Sequence, residues 1–450
     1  MTPEAPLAPP AAGAAPRLAL AAIVRNEAPY LLEWIAHHRA LGIRDLLIAD
    51  NASDDGSSEL LAALDALGVV RRVPFPSPPG RAPQLPAYAH LLGEVAPATG
   101  AEWVAIIDAD EFLVPEPPAP DAPGARDPSA WLARVLAPLA AEADVGAVAM
   151  NWAIHGSSWL ANHSAGLVTE RFVRRARADF GANLHYKTLL RLAAFESVSG
   201  NPHHMELRAG WRLVHPDGRE VAPHPRHGKG LSAEVVWAGL RVNHYIVKSR
   251  EEFDTRKARN GSAATLGRVK GDDYFRAHDR NDTRDAVPEP LLAATRAGMA
   301  DLAGRLRAAG AAVPEPVQAA PRHARPFEGV QGHVDRLAWS ADGRLQVRGW
   351  AMGGTGLPPR YFAVRGPQVE QIISEHERYA RPDIQRHFPM ADPRCGFQFL
   401  LELPGGPEGG VAGLEVRAGD SPETLGPPMP IPPQVLAALS PSAPAETTAS

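Results

Sequence analysis

Four short apolar runs, separated by segments with helical periodicity, constrain the fold of this chain more than any other feature. The runs favour strands, and the segments between them repeat apolar residues at three- and four-residue spacing, which favours helices. Strands that alternate with helices through short connections are typical of a mainly parallel sheet in an α/β fold. The runs are Leu18–Val24, Leu46–Ala49, Val69–Val73 and Trp103–Ile107.

Polar clusters follow three of these four predicted strands. Arg25-Asn26-Glu27 follows the first, the segment from Asp50 to Ser57 follows the second, and the segment from Asp108 to Glu111 follows the fourth. Open α/β sheets bind ligands in a crevice outside the carboxyl ends of their strands. We therefore expect the three clusters to line one crevice, although each alone is also consistent with a solvated turn.

The third cluster contains Asp108 and Asp110, which suit a hard divalent cation, Mn²⁺ or Mg²⁺. Mg²⁺ typically takes one or two protein carboxylates together with phosphate oxygens. If the ligand is a nucleoside diphosphate linked to a sugar, the cation would stabilise charge on the departing diphosphate. An acid at the end of the second strand, Asp50, would accept a hydrogen bond from the base or ribose. Serine and asparagine side chains of the following turn would hold the rest of the nucleotide.

Later segments offer further candidate site residues. The sequence leaves two interpretations open for the Gly156-Ser157 segment and for Lys187. Gly156 and Ser157 lie between two tryptophans, which fits a loop that approaches a ligand closely or a packed aromatic corner. Lys187 would add positive charge to the site or lie on an exposed polar strand face. An inverting transfer needs a carboxylate or histidine within hydrogen-bond reach of the acceptor hydroxyl. The candidate bases are Glu111, Glu170 and His155.

Length, charge and cysteine content narrow the class of protein. A chain of 450 residues is long enough for two domains. A net charge of -5 does not indicate a nucleic-acid partner, and the single Cys395 excludes an internal disulfide or a cysteine-based zinc site. No stretch reaches the roughly 20 apolar residues of a membrane span. We therefore expect a cytoplasmic protein, with at most peripheral contact at the inner face of the membrane.

Composition also predicts the domain organisation. Pro/Ala-rich segments without periodicity indicate a leader and a linker, and Asp342-Gly343 between two short apolar runs indicates a β-hairpin. The expected fold is a doubly wound, mainly parallel sheet followed by a small all-β sandwich domain. The expected bounds are 1–16 for the leader, 17–310 for the α/β domain, 311–328 for the linker, 329–433 for the sandwich and 434–450 for a disordered tail.

The order of motifs resembles bacterial family 2-like glycosyltransferases with the GT-A fold and the related family 92-type proteins. The resemblance covers Leu18 to about Gly261 and rests on these motifs: Ala22-Ile23-Val24-Arg25-Asn26-Glu27, Leu32-Glu33-Trp34-Ile35-Ala36-His37-His38, Asp50-Asn51-Ala52-Ser53-Asp54-Asp55-Gly56-Ser57, Ile107-Asp108-Ala109-Asp110-Glu111-Phe112, a Gly-Ser loop after a tryptophan, a His-x-Lys strand, and Asn243-His244-Tyr245 before a Ser-x-Glu-Glu helix. His155 stands before Gly156 where an aromatic residue is more usual.

The resemblance implies a metal-dependent glycosyltransferase of hexosyl type, expected to be inverting. It implies that Asp108 and Asp110 form the Asp-x-Asp motif and that His244 completes the metal or diphosphate site, unless His244 is a core histidine. The partners implied are a nucleotide-sugar donor and a glycan or lipid-linked acceptor, with no nucleic acid. The full set of expected nucleotide-sugar contacts is Arg25, Asn26, Glu27, Asp50, Asn51, Ser53, Asp55, Asp108, Gly156, Ser157 and Lys187.

Two other functions remain open from the sequence. A nucleotidyltransferase uses a similar sheet, but it normally carries a glycine-rich phosphate loop after the first strand, and Arg25-Asn26-Glu27 provides none. A catalytically silent glycan-binding protein would keep the fold without metal-dependent affinity for a nucleotide.

Overall fold

The chain divides into two compact units. The computed structural model describes residues 16–77, 80–158, 160, 163, 166–257, 270–314, 330–353, 358–366, 369–387, 392–408, 411, 413–419, 425–437 and 439. The first unit contains residues 1–158 and 163–318, and the second contains residues 319–450 together with 159–162. Within the described residues, no helix combines the length and the apolar character that a membrane crossing requires.

The first unit is built from strands and helices in alternation. Its strands are β1 (Leu18–Val24), β2 (Asp45–Asp50), β3 (Arg71–Pro74), β4 (Trp103–Ile106), β5 (Glu111–Pro115), β6 (Val145–Ile154), β7 (Arg174–Arg175), β8 (Tyr186–Arg191), β9 (Phe195–Val198), β10 (Met205–Leu207), β11 (Arg212–Val214), β12 (Pro223–His224), β13 (Gly228–Ser232), β14 (Leu240–His244) and β15 (Thr283–Arg284). Its helices are α1 (Ala28–Ala40), α2 (Ser57–Ala66), α3 (Gln84–His90), α4 (Trp131–Ala141), α5 (Val168–Arg171), α6 (Arg250–Glu252), α7 (Asp272–His278) and α8 (Glu289–Ala308).

One large sheet organises this unit. Its strand order is β3-β2-β1-β4-β8-β6-β14-β5, and β11 pairs with β6. Five strand pairs are parallel, and the three that involve β8 or β5 are antiparallel. The predicted α/β class with a mainly parallel sheet is therefore confirmed. Strands β1, β2, β6 and β14 run in the same direction, so their carboxyl ends share one edge.

The sheet is buried on both faces. All seven residues of β1 are buried, and its odd-numbered residues, such as Ala21, pack against Tyr88 of α3 and Leu91 of the π-helical turn that continues it. Such a strand has no polar face, because parallel strands are covered on both sides. This is why the first runs read as continuous apolar stretches rather than as alternating ones.

Some element boundaries differ from the predicted ones. The run that begins at Trp103 ends as a strand at Ile106, and Glu111 is the first residue of β5 rather than part of the turn. Asn26 has φ 59° and lies two residues before α1. Its side-chain Oδ1 accepts a hydrogen bond from the backbone N–H of Asp54, at 2.9 Å. The clusters after β1 and β2 are therefore cross-linked to each other.

The second unit contains two antiparallel sheets that share an apolar core. Val347 and Phe397 come from one sheet and Phe362 and Val416 from the other. Its strands are β16 (Gln331–Trp339), β17 (Leu345–Met352), β18 (Tyr361–Gly366), β19 (Val369–Ile373), β20 (Glu377–Tyr379), β21 (Gly396–Leu401) and β22 (Glu415–Gly419), with α9 (Pro382–His387) and α10 (Pro433–Ala437). The predicted hairpin at Asp342-Gly343 joins β16 to β17.

Candidate functional site

A polar cavity of about 560 Å³ lies at the carboxyl edge of the parallel strands. It begins beside the end of β1, passes the loop after β4, and reaches the ends of β6 and β14. Basic residues outnumber acidic ones on its described wall, which favours an anionic ligand. The basic residues are Arg25, Arg81, Lys248, Arg256, Lys257 and Lys270, and the acidic residues are Glu27, Asp108, Asp110 and Glu252.

Asp108 is held by protein donors on both of its oxygens. Its Oδ1 accepts hydrogen bonds from Gln84 Nε2 and from the Tyr88 hydroxyl, each at 2.8 Å. Its Oδ2 accepts one from Lys187 Nζ, also at 2.8 Å. Burial acts to raise the pKa of Asp108, but the Lys187 ammonium and these hydrogen bonds hold it below its usual range. Asp108 is therefore an ionised, fixed group on the cavity wall, with its oxygens already engaged.

Asp110 is oriented differently and faces His244. Its Oδ2 lies 3.5 Å from His244 Nε2 and forms an ion pair with Lys257. Lys257 and His244 outweigh the effect of burial, so the pKa of Asp110 lies well below its usual range. Burial lowers the pKa of His244 to about 4, against the opposing effect of Asp110. At neutral pH the pair therefore consists of a carboxylate and a neutral imidazole, and His244 Nε2 can donate a lone pair to a cation when the ring proton is on Nδ1.

The backbone fixes the spacing of this pair. Tyr245 N–H donates to the carbonyl oxygen of Asp110 at 2.9 Å, and Glu111 pairs with His244 in the ladder between β5 and β14. Asp110 and His244 therefore lie on two directly paired segments of chain.

These residues fit a divalent cation better through Asp110 and His244 than through Asp108. Two ligands of one Mg²⁺, each about 2.1 Å from it, lie at most about 4.2 Å apart. The 3.5 Å separation of Asp110 Oδ2 and His244 Nε2 meets this condition. Among the residues that the structure describes, no cluster of three or more histidine, cysteine, aspartate or glutamate side chains is arranged to hold a metal. The remaining ligands would have to be phosphate oxygens and water.

Glu111 is a buried supporting residue. Its side chain is fully inaccessible, and its Oε2 accepts a hydrogen bond from Asp108 N–H at 2.8 Å. Burial and the nearby Asp108 and Asp110 raise the pKa of Glu111 to about 8, although Lys187 acts in the opposite direction. A protonated, enclosed carboxyl cannot accept a proton from a substrate in the cavity.

The other two candidate bases also lie away from the cavity wall. Glu170 accepts a hydrogen bond from Arg296 Nε at 2.6 Å. His155 is fully buried, and its Nδ1 lies 2.8 Å from the carbonyl oxygen of Phe172. Burial lowers the pKa of His155 to about 4. The described wall of the cavity includes neither residue.

The structure brings only part of the predicted nucleotide-binding set to the cavity. Arg25, Glu27, Asn51 and Asp108 line it. Asp50 lies behind the wall, where its Oδ2 accepts hydrogen bonds from Arg72 Nη2 at 2.7 Å and Ser58 Oγ at 2.6 Å. The other predicted contacts that are outside the described wall are Asn26, Ser53, Asp55, Gly156, Ser157 and Lys187.

The Gly156-Ser157 segment packs against another loop. A Cβ at Gly156 would lie 2.5 Å from the carbonyl oxygen of Arg280, and Gly156 N–H donates to that oxygen at 3.0 Å. Ser157 N–H donates to Asp279 Oδ1 at 2.7 Å. The small residues here allow two segments of chain to approach each other, which is the packing alternative left open by the sequence.

Residues that the sequence did not assign to the site come from the segment after β14. Lys248, with φ 57°, lies 4.3 Å from the centre of the Tyr30 ring, and Lys257 reaches Asp110. A capping box starts the Ser-x-Glu-Glu helix, since Ser249 Oγ accepts from Glu252 N–H and Glu252 accepts from Ser249 N–H. Arg256 and Lys257, in the helical segment that begins six residues after the end of β14 at His244, were the available signal, because that segment starts near the same edge of the sheet.

The opposite end of the cavity is formed by aromatic and histidine side chains. The indole of Trp152 contacts His185, His203 and His244, with ring centroids 4.8, 4.9 and 4.4 Å away. All four residues line the cavity. They stand on or beside β6, β8 and β14, whereas Arg25 and Asn51 stand beside β1 and β2. The cavity therefore has two chemically distinct halves on either side of Asp108 and Asp110.

The fold and the cavity together define an α/β protein with a cleft rich in basic side chains at the carboxyl edge of a mainly parallel sheet. Residues 20–122 match the sequence profile of Glycosyltransferase family 92. A family 92 protein of Oryza sativa subsp. japonica is 37% identical over 92 residues, which cover 20% of this chain and 15% of that protein. One of Ricinus communis is 24% identical over 253 residues, which cover 54% of this chain and 40% of that protein.

These matches show similarity to family 92 glycosyltransferases in the part of the chain that carries Asp108 and Asp110. The predicted family 92 resemblance is confirmed to that extent, and the family 2-like and bacterial parts of it stay predictions. The chain spans less than half of the length of these curated relatives.

Two solved structures are also similar at low identity. The mannosyltransferase PcManGT from Pyrobaculum calidifontis, in complex with GDP-Man and Mn²⁺, is 18% identical, with a TM-score of 0.26 over 68% of this chain and 78% of that one. TarS of S. aureus is 9% identical, with a TM-score of 0.26 over 92% of this chain and 77% of that one. At these TM-scores neither structure supports a conclusion about this protein.

Proposed function

We propose that this protein is a metal-dependent glycosyltransferase that moves a sugar from a nucleotide-sugar donor to an acceptor hydroxyl of a glycan or lipid-linked substrate. The observation that carries the proposal is the pair of Asp110 and His244, which face a cleft rich in basic residues within a chain similar to family 92 glycosyltransferases. Mn²⁺ or Mg²⁺ is the expected cation, since both accept carboxylate and phosphate oxygens.

The nucleoside would occupy the half of the cavity beside β1 and β2. Asn51 lines this half, and its Oδ1 accepts hydrogen bonds from Ser77 N–H at 3.2 Å and Ser77 Oγ at 2.8 Å. Arg25 and Arg81 add positive charge on the same side. Because the Asn51 amide is held in one orientation, its remaining donors are free to select a base or ribose edge.

The diphosphate would lie between Asp110 and the basic residues that follow β14. Lys248, Arg256 and Lys257 line the cavity there. When bound, the cation would supply Lewis-acid stabilisation of the charge that develops on the leaving diphosphate. The ammonium of Lys257, released from Asp110, would contact the phosphate oxygens and add to that stabilisation. Asp108, held by Lys187, would remain in place as a fixed acceptor for a donor hydroxyl.

The direct test is a thermal-shift screen of UDP- and GDP-linked sugars with and without Mn²⁺, followed by detection of released nucleotide. A ligand at 100 times its Kd stabilises the native state by about 2.7 kcal/mol, so a cognate donor should raise the melting temperature measurably. Asp110→Asn should abolish the metal-dependent part of the shift and the turnover. Asp121→Asn, on an exposed surface segment, is the matched control and should behave as the wild type. A donor shift that persists unchanged in Asp110→Asn would overturn the assigned metal role, and the absence of any sugar-nucleotide shift would overturn the function.

A further inference from the structure

We infer that His185 is the general base that accepts the proton of the acceptor hydroxyl. This inference rests on the proposed function, and it replaces Glu111, Glu170 and His155 in that role. A base must lie within hydrogen-bond reach of the hydroxyl that it deprotonates. His185 lines the cavity at the end opposite the expected nucleoside, where an acceptor would enter.

The position of His185 follows from the strand that it precedes. Lys187, in β8, donates to Asp108 Oδ2 at 2.8 Å. Side chains two residues apart in a strand point to the same face, about 6.6 Å apart along the chain. His185 therefore lies on the same side of the sheet as the Lys187–Asp108 pair and further toward the edge.

The contact at Nδ1 determines which ring nitrogen of His185 carries the lone pair. Its Nδ1 lies 3.1 Å from the carbonyl oxygen of Ala182, which can only accept, so Nδ1 carries the proton. In a neutral imidazole this leaves the lone pair on Nε2. Burial lowers the pKa of His185 below its usual range, with Lys187, His227 and His278 acting in the same direction, and this favours the neutral form.

The ring is also held in place on its face. It stacks on the indole of Trp152, with centroids 4.8 Å apart and an angle of 22° between the planes. The backbone carbonyl oxygen of His185 accepts from Trp152 N–H at 2.9 Å. The same indole contacts His244, so Trp152 separates the proposed base from the proposed metal ligand by one ring. A base oriented by neighbouring groups in this way is the usual arrangement for proton transfer.

His203 is the alternative on the same wall, and its contacts favour a different role. Its ring centroid lies 5.3 Å from that of His185. Its Nδ1 is buried without a hydrogen-bond partner among the described residues. A buried N–H left without an acceptor is costly, so the proton is better placed on Nε2. In that tautomer His203 presents a donor to the cavity rather than a lone pair.

The chemical step balances with His185 as base in a single displacement. The acceptor oxygen forms a bond to the anomeric carbon as its proton passes to His185 Nε2. The bond from the anomeric carbon to the phosphate oxygen breaks, and its electron pair leaves with the nucleoside diphosphate. His185 then returns the proton to solvent. The configuration at the anomeric carbon is inverted.

The test compares His185→Asn with His203→Gln and with Asp121→Asn, an exposed control, after the donor has been found in the screen above. An asparagine Nδ2 can still donate to the Ala182 carbonyl, so His185→Asn keeps the anchoring contact and removes the base. We expect the kcat for transfer to fall by roughly 10² to 10⁴, with the Kd for the donor and Mn²⁺ changed less than twofold. His203→Gln should lose much less, and Asp121→Asn should lose none.

A second measurement separates a base from a structural residue. Imidazole added to His185→Ala should restore part of the turnover, whereas it should not rescue Asp110→Asn. Retention of more than a fifth of the wild-type kcat in His185→Asn would overturn the assignment. A 100-fold loss in His203→Gln alone would move the base to His203. Failure of the wild type to turn over any sugar nucleotide would instead remove both the proposed function and this inference.

Discussion

The ammonium of Lys187 lies 2.8 Å from Asp108 Oδ2 and 3.4 Å from Glu111 Oε2, and none of its side chain is exposed to solvent. Although burial disfavours a charged lysine, these two acids raise its pKa above the usual range. The buried ammonium of Lys187 therefore balances negative charge in the turn from Asp108 to Glu111. The loop after β4 depends on it for stability as well as for orientation.

Replacement of this lysine should destabilise the protein strongly. Lys187→Met leaves the Asp108 carboxylate without the buried ammonium that neutralises it, and breaking a buried ion pair from one side typically costs about 3–5 kcal/mol. The free energy of unfolding in urea is the measurement. Lys229→Met is a matched control, since Lys229 forms an exposed ion pair with Glu206, and its loss should cost at most about 1 kcal/mol. Equal losses in the two variants would mean that Lys187 is not a structural cation.

Removal of Lys257 should strengthen the binding of Mn²⁺ alone. A cation that uses Asp110 has to displace the Lys257 ammonium, so Lys257→Met should tighten the Kd for Mn²⁺ severalfold in the absence of nucleotide. Every tenfold change corresponds to about 1.4 kcal/mol. Electron paramagnetic resonance of free Mn²⁺ provides the readout, with Lys229→Met as the control. An unchanged or weaker affinity would show that Lys257 does not compete for this position.

Three buried histidines should make the fold less stable as the pH falls below 6.5. His37, His155 and His244 are buried, and burial lowers the pKa of each from 6.5 to about 4. Below pH 6.5 these histidines become protonated in the unfolded chain but stay neutral in the folded chain until about pH 4. The free energy of unfolding therefore falls across this interval. By pH 5 each of these histidines contributes a loss of about 2 kcal/mol.

Urea unfolding at pH 7.5 and pH 5 checks this dependence. His37→Gln keeps a donor for the Leu113 carbonyl, which lies 2.8 Å from His37 Nε2, and it should reduce the difference between the two pH values. His227→Gln, at an exposed position, should leave the difference as in the wild type. A difference between the two pH values that is as large in His37→Gln as in the wild type would contradict the burial of His37 in neutral form.

Two glycine substitutions should have opposite signs. A Cβ at Gly156 would meet the Arg280 carbonyl at 2.5 Å, so Gly156→Ala should destabilise the protein by about 1–3 kcal/mol. Gly304 lies on the exposed side of α8 with no atom within 4 Å of an added Cβ. Gly304→Ala should stabilise the protein by up to about 1 kcal/mol, since alanine favours a helix. Melting temperatures of the two variants decide both points.

Local patterns account for the elements that were predicted from sequence. The run from Leu18 to Val24 and the helix that follows with Pro29 in its first turn are specified by neighbours in the chain, and both are present. The insertion of antiparallel β8 between β4 and β6 depends on strand pairing across the chain, which no local pattern contains. For the same reason β5 was not distinguished from the end of the preceding strand.

The candidate site divides in the same way. Asp108 and Asp110 follow a predicted strand, so the sequence predicted them at the crevice, whereas His244 was implied by the family resemblance; all three line the cavity. Asp50 also follows a strand end, but Arg72 on the neighbouring strand engages its carboxylate. The pairing of Lys257 with Asp110 joins positions 147 residues apart. Which acid remains available to a ligand depends on such distant partners and is not encoded in the motif.

The attachment of Asp110 and His244 to paired segments of backbone has a consequence for engineering. Their separation is inherited from the ladder between β5 and β14 rather than from the rotamers of long side chains. Replacing either side chain by another type of metal ligand should therefore change which cation binds best. The paired backbone segments should keep their positions. Selectivity for one cation over another is therefore expected to depend on the two ligating side chains, while the paired backbone segments set the distance between them.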